Sequence, residues 1–269
     1  TFSQPMVPIA ALSDLKRQDV PLEISPMPKG RFRWLGTTTL AFEPEGRMPK
    51  ATDYTVRVPE GTESKLGGEL EDALEFEFQT PPPALRFSIP GGAARSVGLE
   101  PTIAFCFNQR VDPETIAEAT SIAGPGSPEL SLVTGEAVRE IAKDHMRLQS
   151  CEDDRRAVFR VAEPLRKASG YAVRIAAGTR GAEGPKPIPK AIAQRFRTYS
   201  PLKLAEVDCS AYRGPCRPGH NIIVTMNNPL APEQDLAERV KITPEVSRLE
   251  RRLIGNRVQL SGDFEPRTV

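Results

Sequence analysis

An eight-residue phrase occurs three times in this chain, and this repetition is the feature that most limits its possible folds. The three versions are TFSQPMVP at residues 1–8, CFNQRVDP at 106–113 and TMNNPLAP at 225–232. Apolar, polar and proline positions keep their order, except that the second version has Arg110 and Asp112 where the other two have a proline and an apolar residue. A phrase that returns at long intervals predicts a tandem array of similar structural units rather than one large domain.

The segments after the phrase also correspond between the first and second copies, but the second copy is longer by about a dozen residues. Each copy closes with a segment that ends in threonine. The matching marks, in chain order, are Tyr54 with Tyr171, Gly61-Thr62 with Gly178-Thr179, and Phe78-x-Thr80 with Phe196-x-Thr198.

Proline-rich joints predict where one unit ends and the next begins. TPPPAL at 80–85 and TYSPLK at 198–203 stop a strand and stiffen the passage to the next unit. We therefore predict domains at residues 1–82, 83–200 and 201–269, held at fixed angles to each other. The first would lack its initial strands and the third would be truncated at its C-terminal end, as expected of a segment from a longer polypeptide.

Short segments of alternating polarity predict an all-β fold. With Pro 27 and Gly 20 in the chain, turns are favoured over long helices. We expect strands with one buried and one wet face. The segments are TLAFEP, YTVRVP, LEFEFQ, TIAFCF, YAVRIA, NIIVTM and RVQLSG, with an exposed strand pair in RLERRLIGNR that turns at Gly255-Asn256.

One segment has helical periodicity instead. TGEAVREIAKDHMRL at 134–148 places Val138, Ile141, Ala142 and His145 at helical spacing, with Thr134 available as the N-cap. Because the second copy is the longer one, this segment predicts a short helical insertion into the β framework of the middle domain.

Composition and charge argue against several classes of function. Lys+Arg 36 against Asp+Glu 35 gives no basic surface for nucleic acid or anionic membranes, and no apolar run approaches the roughly 18 residues of a membrane span. His145 and His220 stand in no nucleophile context, and CEDDRR at 151–156 lacks calcium-loop spacing, so it predicts a solvated loop. We expect no enzyme activity and no catalytic, cofactor-binding or metal-ligating residues.

Several longer phrases resemble the N-terminal Ig-like macroglobulin domains of bacterial alpha-2-macroglobulin family proteins. They are FSQPMVP, RFRWLGTTTLAFEPEGRMPKATDYTVRVPEGTESKLGG, FNQRVDPE, and CSAYRGPCRPG followed by NNPL, and the likeness covers essentially the whole chain. It implies tandem Ig-like, macroglobulin-type antiparallel β-sandwich domains in an exported protein of the periplasm or cell surface. In that family a protease cuts a bait region, the domains rearrange, and a thioester can capture the attacker.

The resemblance implies a structural, non-catalytic segment of a broad-spectrum protease inhibitor. The family's thioester would read Cys-x-Glu-Gln, whereas Cys151-Glu152-Asp153-Asp154 lacks the glutamine, so we expect none here. The implied partners are other domains of the same polypeptide and, through the full-length protein, target proteases. Because the F-x-x-P-M phrase also recurs in surface-layer and adhesin repeats, an Ig-like stalk or adhesin module that binds protein or glycan is the alternative.

The four cysteines predict disulfides in an exported protein. Cys209 and Cys216 lie in a Gly/Pro-rich loop that suits a local disulfide, and zinc is disfavoured because only His220 lies nearby. Cys106 has side-chain parity opposite its phenylalanine neighbours. It is therefore either a small core residue or the partner of Cys151, and we favour the pair.

Three aromatic residues are candidates for structural roles. Tyr54 and Tyr171 share the context A-(T/S)-x-Tyr-x-Val-Arg, which resembles the corner tyrosine of sandwich domains. Trp34, beside Arg31 and Arg33, could contact carbohydrate or protein, but packing inside its own domain or against a neighbour is favoured.

Overall fold

The computed structural model describes residues 1–8, 20–209, 219–232 and 235–264. In these segments the chain forms short strands and a few short helices, and each sheet draws all its strands from one predicted unit. The all-β prediction is confirmed. The unit boundaries at 82/83 and 200/201 stay predictions, and "first", "second" and "third unit" below refer to them.

The first unit contains a three-stranded sheet and a separate hairpin. The sheet has the order β1-β4-β5 and is antiparallel, and β2 pairs with β3. The strands are β1 (Glu23–Ser25), β2 (Gly30–Trp34), β3 (Leu40–Pro44), β4 (Asp53–Val58) and β5 (Leu74–Gln79).

The expected alternation holds on β4 but fails on β5. Tyr54, Val56 and Val58 are buried on β4, whereas all six residues of β5 are exposed, including Phe76 at 52%. Each apolar residue of β5 lies opposite one of those β4 residues on the same face. The prediction of a buried face for LEFEFQ is therefore wrong, because β5 is the edge strand and that face is covered only as far as β4.

The second unit is a sandwich of two four-stranded sheets. One sheet has the order β10-β11-β8-β6 and the other β7-β13-β12-β9, where β7 runs parallel to β13. The elements are β6 (Leu85–Ile89), β7 (Ala94–Val97), β8 (Ile103–Phe107), α1 (Pro113–Glu118), β9 (Thr120–Ala123), β10 (Leu130–Val133), α2 (Glu136–Lys143), α3 (Met146–Gln149), β11 (Arg156–Val161), β12 (Gly170–Ile175) and β13 (Ile192–Thr198).

The core of this sandwich lies between the two sheets. Phe105 of β8 and Phe159 of β11 meet with ring centroids 6.2 Å apart, and they pack in one cluster with Val173 and Phe196 of the facing sheet. Ile116 of α1 is fully buried in the same cluster. Apolar burial between facing sheets supplies the main stabilisation of such a unit.

The strand TIAFCF is buried on both faces, so the expected wet face is wrong. Ala104 and Cys106 point away from the main core into a second apolar cluster with Ile141 and Leu148 of the helical insertion. The insertion therefore acts as a lid over the outer face of β8. A strand in the centre of a sheet can be fully buried only when something covers its second face.

The insertion itself differs in detail from the single predicted helix. It contains two short helices, α2 and α3, and His145 is the N-cap of α3 rather than a member of the α2 face. Gly135, at φ 64°, stands at the N-cap of α2, so the predicted role of Thr134 is wrong. Residues 153–155 form a 3-10 turn in which Asp153 pairs with the buried Arg156.

The third unit is a single four-stranded sheet in its described part. The order is β14-β15-β17-β16, and β16 and β17 form the expected pair that turns at Gly255 and Asn256. The elements are β14 (Leu204–Asp208), β15 (Ile222–Met226), α4 (Leu236–Arg239), β16 (Ser247–Ile254) and β17 (Arg257–Asp263).

Tyr171 ties two turns of the second unit together. Its hydroxyl accepts a hydrogen bond from the Arg166 amide at 2.9 Å and donates to the Pro125 carbonyl at 3.2 Å. The Tyr54 hydroxyl donates only to the Pro49 carbonyl, at 3.3 Å. Pro49 stands five residues before Tyr54, as Arg166 stands five residues before Tyr171. Because proline has no amide proton, Pro49 cannot donate the bond that the Arg166 amide donates.

We expect Tyr171→Phe to lower the unfolding free energy of the second unit by about 1–3 kcal/mol, because it leaves two partly buried backbone groups without their partner. Tyr54→Phe, which removes one bond, is the matched control and should cost less. Denaturant unfolding followed by circular dichroism measures both losses. Equal losses for the two variants would contradict the corner role of Tyr171.

Candidate interdomain joint

Two asparagines of the repeated phrase clamp the proline-rich joints. The Asn108 side chain donates to the Pro82 carbonyl at 3.1 Å and accepts from the Ala84 amide at 3.0 Å. Asn227 repeats this arrangement at the second joint, donating to the Pro201 carbonyl at 3.0 Å and accepting from an amide at 2.7 Å. Each side chain thus holds the linker against the first strands of the following unit.

We expect Asn108→Asp to loosen the first joint, because a carboxylate cannot donate to the Pro82 carbonyl and would repel it. Asn108→Ser is the smaller-loss variant that keeps one donor. Limited proteolysis at the 80–85 linker, followed by mass spectrometry, measures the change as cleavage several-fold faster than in the wild type. Unchanged cleavage in Asn108→Asp would show that the clamp does not hold the linker.

A buried carboxylate joins the first unit to the second. Glu183 lies in the loop between β12 and β13, and only 1% of its side chain is exposed. Its carboxylate accepts two hydrogen bonds from the Arg47 guanidinium, at 2.5 and 2.6 Å, one from the Lys50 amide at 3.2 Å and one from the Arg110 amide at 2.7 Å. The first two donors belong to the first unit and the third to the second.

The electrostatics of Glu183 follow from this set of donors. Burial alone would raise the pKa of the carboxyl, but the hydrogen bonds from Arg47 and from the Arg110 and Lys50 amides outweigh it and lower the pKa to about 2. The pKa of Arg47 is raised in turn, chiefly by its hydrogen bonds to Glu183. The pair is therefore fully charged at neutral pH, and its fork-to-fork geometry fixes the direction of approach.

The rest of the same loop contacts the first unit through its backbone. Gly184 lies so close to the Lys50 and Ala51 carbonyls that a β-carbon would overlap them. The Lys186 amide donates to the Ala51 carbonyl at 2.9 Å, and the ammonium group of Lys186 pairs with Asp53 of β4. These backbone contacts act together with the Glu183 ion pair in joining the two units.

One lysine links the loop contact to the linker clamp. The Lys50 ammonium donates to the Asn108 carbonyl at 2.8 Å, while the Lys50 amide donates to Glu183. Linker, loop and first unit are thus tied in one hydrogen-bonded network.

The structure places the predicted cysteines as follows. Cys106 and Cys151 form a disulfide with a Cα–Cα distance of 6.0 Å, inside the apolar cluster under the helical insertion. Cys209 is also disulfide-bonded, and Cys216, its predicted partner, lies outside the described residues.

Trp34 lies buried in the first unit. Its ring centroid is 6.0 Å from that of Phe2, and Met6, Val7 and Leu40 pack in the same cluster. The side chain is 6% exposed, so its surface is used for packing against the first residues of the chain. Tyr54 stacks on Phe78 and Tyr171 on Phe196, which repeats one aromatic pair in both units.

Within the described segments, no group of three or more histidine, cysteine or acidic side chains is arranged to hold a metal ion. Over the same segments, no helix has both the length and the apolar character that crossing a bilayer requires.

Glu183, Arg47 and Asn108 were not singled out from the sequence. For Asn108 a signal was present, because the phrases FNQ and MNN share an asparagine after the strand. For Glu183 no local signal exists: its partner Arg47 is 136 residues away in the sequence. Only the packing of one unit on the next brings the two together.

Comparison with known proteins places one part of the chain in a described family. Residues 79–198 match the family model for a bacterial Ig-like domain. The chain is 21% identical over 221 residues to an alpha-2-macroglobulin homolog from Nostoc sp., a match that covers 77% of this chain and 12% of that protein. It is 25% identical over 161 residues to Circularly permutated Ras protein 2 from Dictyostelium discoideum, covering 57% of this chain and 4% of that protein.

Among solved structures, the chain is similar to the N-terminal part of the bacterial S-layer protein SbsC, with 16% identity and a TM-score of 0.27. That match covers 66% of this chain and 37% of the other. The chain spans only a small part of the length of the curated relatives that it matches. Residues 79–198, which include the two facing four-stranded sheets, are similar to the bacterial Ig-like domain family.

Proposed function

We propose that this chain is a non-catalytic structural segment of a bacterial alpha-2-macroglobulin-like, broad-spectrum protease inhibitor. In this role the Ig-like units form part of a wall whose rearrangement follows cleavage of a bait elsewhere in the parent protein. Its partners are the other domains of the same polypeptide and, through the parent, the target proteases.

The observation that carries this proposal is the joint at Glu183. A cage that closes on a protease needs units whose relative orientation is fixed before cleavage and whose contacts can be broken as a set. The buried carboxylate, the Gly184 backbone contact and the Asn108 clamp support the first of these needs. The likeness to the Nostoc alpha-2-macroglobulin homolog over most of the chain supports the same family of function.

The parent protein is proposed to work in the periplasm or at the cell surface. The buried Cys106–Cys151 disulfide supports an oxidising compartment, since such bonds are rare in the reducing cytosol. The likeness to a bacterial Ig-like domain model supports the same placement.

The test uses the parent protein incubated with trypsin. Residual activity is then measured on a small peptide substrate and on a large protein substrate. A trap should leave activity on the small substrate largely intact and strongly reduce activity on the large one. The reason is that the enclosed protease remains active, but only small substrates can reach it. Equal activity on both substrates would reject the trap and leave an Ig-like stalk or adhesin module.

Two variants test whether the Glu183 joint contributes to protease trapping. In the parent, Glu183→Ala should weaken trapping if the orientation of these units matters. Asp263→Ala, which removes an exposed carboxylate paired with Arg248, is the matched control. A parent that traps equally well with either substitution would show that the joint does not serve the trap.

A further inference from the structure

The loop that docks the second unit onto the first has a counterpart in the first unit. Leu66 stands four residues after Thr62, as Glu183 stands four residues after Thr179. Both threonine hydroxyls donate to a carbonyl three residues earlier, at 2.7 and 2.8 Å. The two loops therefore begin in the same conformation.

The next residues of the two loops also make the same backbone contact. The Lys65 amide donates to the Pro5 carbonyl at 2.8 Å, and the Ala182 amide donates to the Arg110 carbonyl at 3.0 Å. Pro5 and Arg110 occupy the same position in the repeated phrase. Counted from these matching contacts, Leu66 in the first unit corresponds to Glu183 in the second. Beyond this position the first loop is one residue shorter, and the Gly67 amide donates back to the Ser64 carbonyl at 3.1 Å.

The two positions differ in what surrounds them. The Glu183 side chain is 1% exposed because the first unit covers it, whereas Leu66 is exposed over most of its surface. Gly184 is pressed against the backbone of its neighbour, while Gly67 has open space where a β-carbon would point. A single exposed leucine is ordinary on a protein surface. The correspondence of this loop with the Glu183 loop, which is an interface, is what points to a contact here.

We propose that the Leu66 loop is the docking contact for a further Ig-like unit on the N-terminal side of this chain in the parent polypeptide. The occupant would sit on the first unit as the first unit sits on the second. This inference does not rest on protease trapping, since any tandem array of such units would use the same contact.

A cavity beside the loop fits the linker of that additional unit. It has a volume of about 120 Å³ and is lined by residues that include Phe2, Gln4, Ser64 and Gly68. Ser64 corresponds to Gly181, which in the second unit lies against Pro83 of the proline-rich linker. A linker proline is therefore the group expected to enter this cavity.

The identity of the residue at the tip defines the chemistry of the partner surface. Glu183 meets the Arg47 guanidinium, but Leu66 has no charge to offer. A buried arginine facing leucine would lose its hydration without gaining a partner. The docked unit should therefore present an apolar side chain at the position where the first unit presents Arg47.

Thiol labelling tests the contact directly. All cysteines described in this chain are disulfide-bonded, so Leu66→Cys introduces a single new thiol. Met146→Cys, on the helical insertion and 85% exposed in the native side chain, is the matched control. In the 269-residue chain both thiols should react at similar rates. In the parent, the thiol of Leu66→Cys should react at least tenfold more slowly than the thiol of Met146→Cys, with the unsubstituted parent as background.

A photocrosslinking amino acid at position 66 of the parent identifies the occupant. A crosslink within the same polypeptide, to a segment N-terminal to Thr1, is the expected product. Equal labelling rates at the two positions in the parent would overturn the proposal, and so would a crosslink to a second molecule or to a segment C-terminal to this chain. Neither readout depends on whether the parent inhibits proteases.

Discussion

Glu183→Ala is expected to free the second unit from the first. The substitution leaves the Arg47 guanidinium and two backbone amides without their acceptor, and it removes the carboxylate that joins them. Small-angle scattering of this chain should change from a profile that one rigid arrangement fits to one that requires a hinged ensemble. The maximum dimension should rise accordingly.

The size of the effect follows from the pKa of Glu183. Its fall from 4.5 to about 2 corresponds to at most about 3 kcal/mol of interaction with the charged carboxylate at neutral pH. Because the folded-state pKa is lowered, this stabilisation is present above pH 4.5 and is lost as the pH falls toward 2. The wild-type joint should therefore open over that window, and Glu183→Gln should remove this part of the pH dependence.

Two further variants separate the charge from the shape of the joint. Gly184→Ala keeps the carboxylate but forces a methyl group into the Lys50 and Ala51 carbonyls, so it should also open the joint. Asp263→Ala removes a carboxylate that is half exposed and should have no measurable effect on the scattering. Scattering from Glu183→Ala that matches the wild type at pH 7 would show that the carboxylate does not hold the joint.

Removing the Cys106–Cys151 disulfide is expected to cause the largest loss of stability within one unit. The bond closes a loop with a sequence separation of 45 residues. By chain entropy, such a loop contributes about 4 kcal/mol. Cys106→Ala combined with Cys151→Ala should therefore lower the melting temperature of the second unit by roughly 10–15 °C.

The loss of stability should be greatest next to the disulfide. Both cysteines lie under the helical insertion, in the cluster that includes Ile141 and Leu148. Hydrogen exchange should therefore speed up first in α2 and α3 and on the outer face of β8. Reduction of the wild type under native conditions serves as the comparison, since it breaks the bond without changing side-chain volume. A melting temperature unchanged in both the double variant and the reduced protein would contradict the prediction.

Local sequence patterns predicted most of the secondary structure. Alternation over YTVRVP and YAVRIA predicts β4 and β12, and both strands show the same buried and exposed order. The repeated phrase predicts the array, and helical spacing after Val133 predicts an insertion there. These features depend on neighbours within a few residues, so the sequence alone determines them.

Tertiary structure decided what each face meets. LEFEFQ and TIAFCF have the same alternation, yet β5 is exposed on both faces and β8 is buried on both. The difference lies in distant covering elements: the insertion lies over β8, whereas β5 ends its sheet. Likewise, nothing near Glu183 predicts Arg47 as its partner. Burial and charge pairing depend on residues far apart in the chain, and packing of the units brings them into contact.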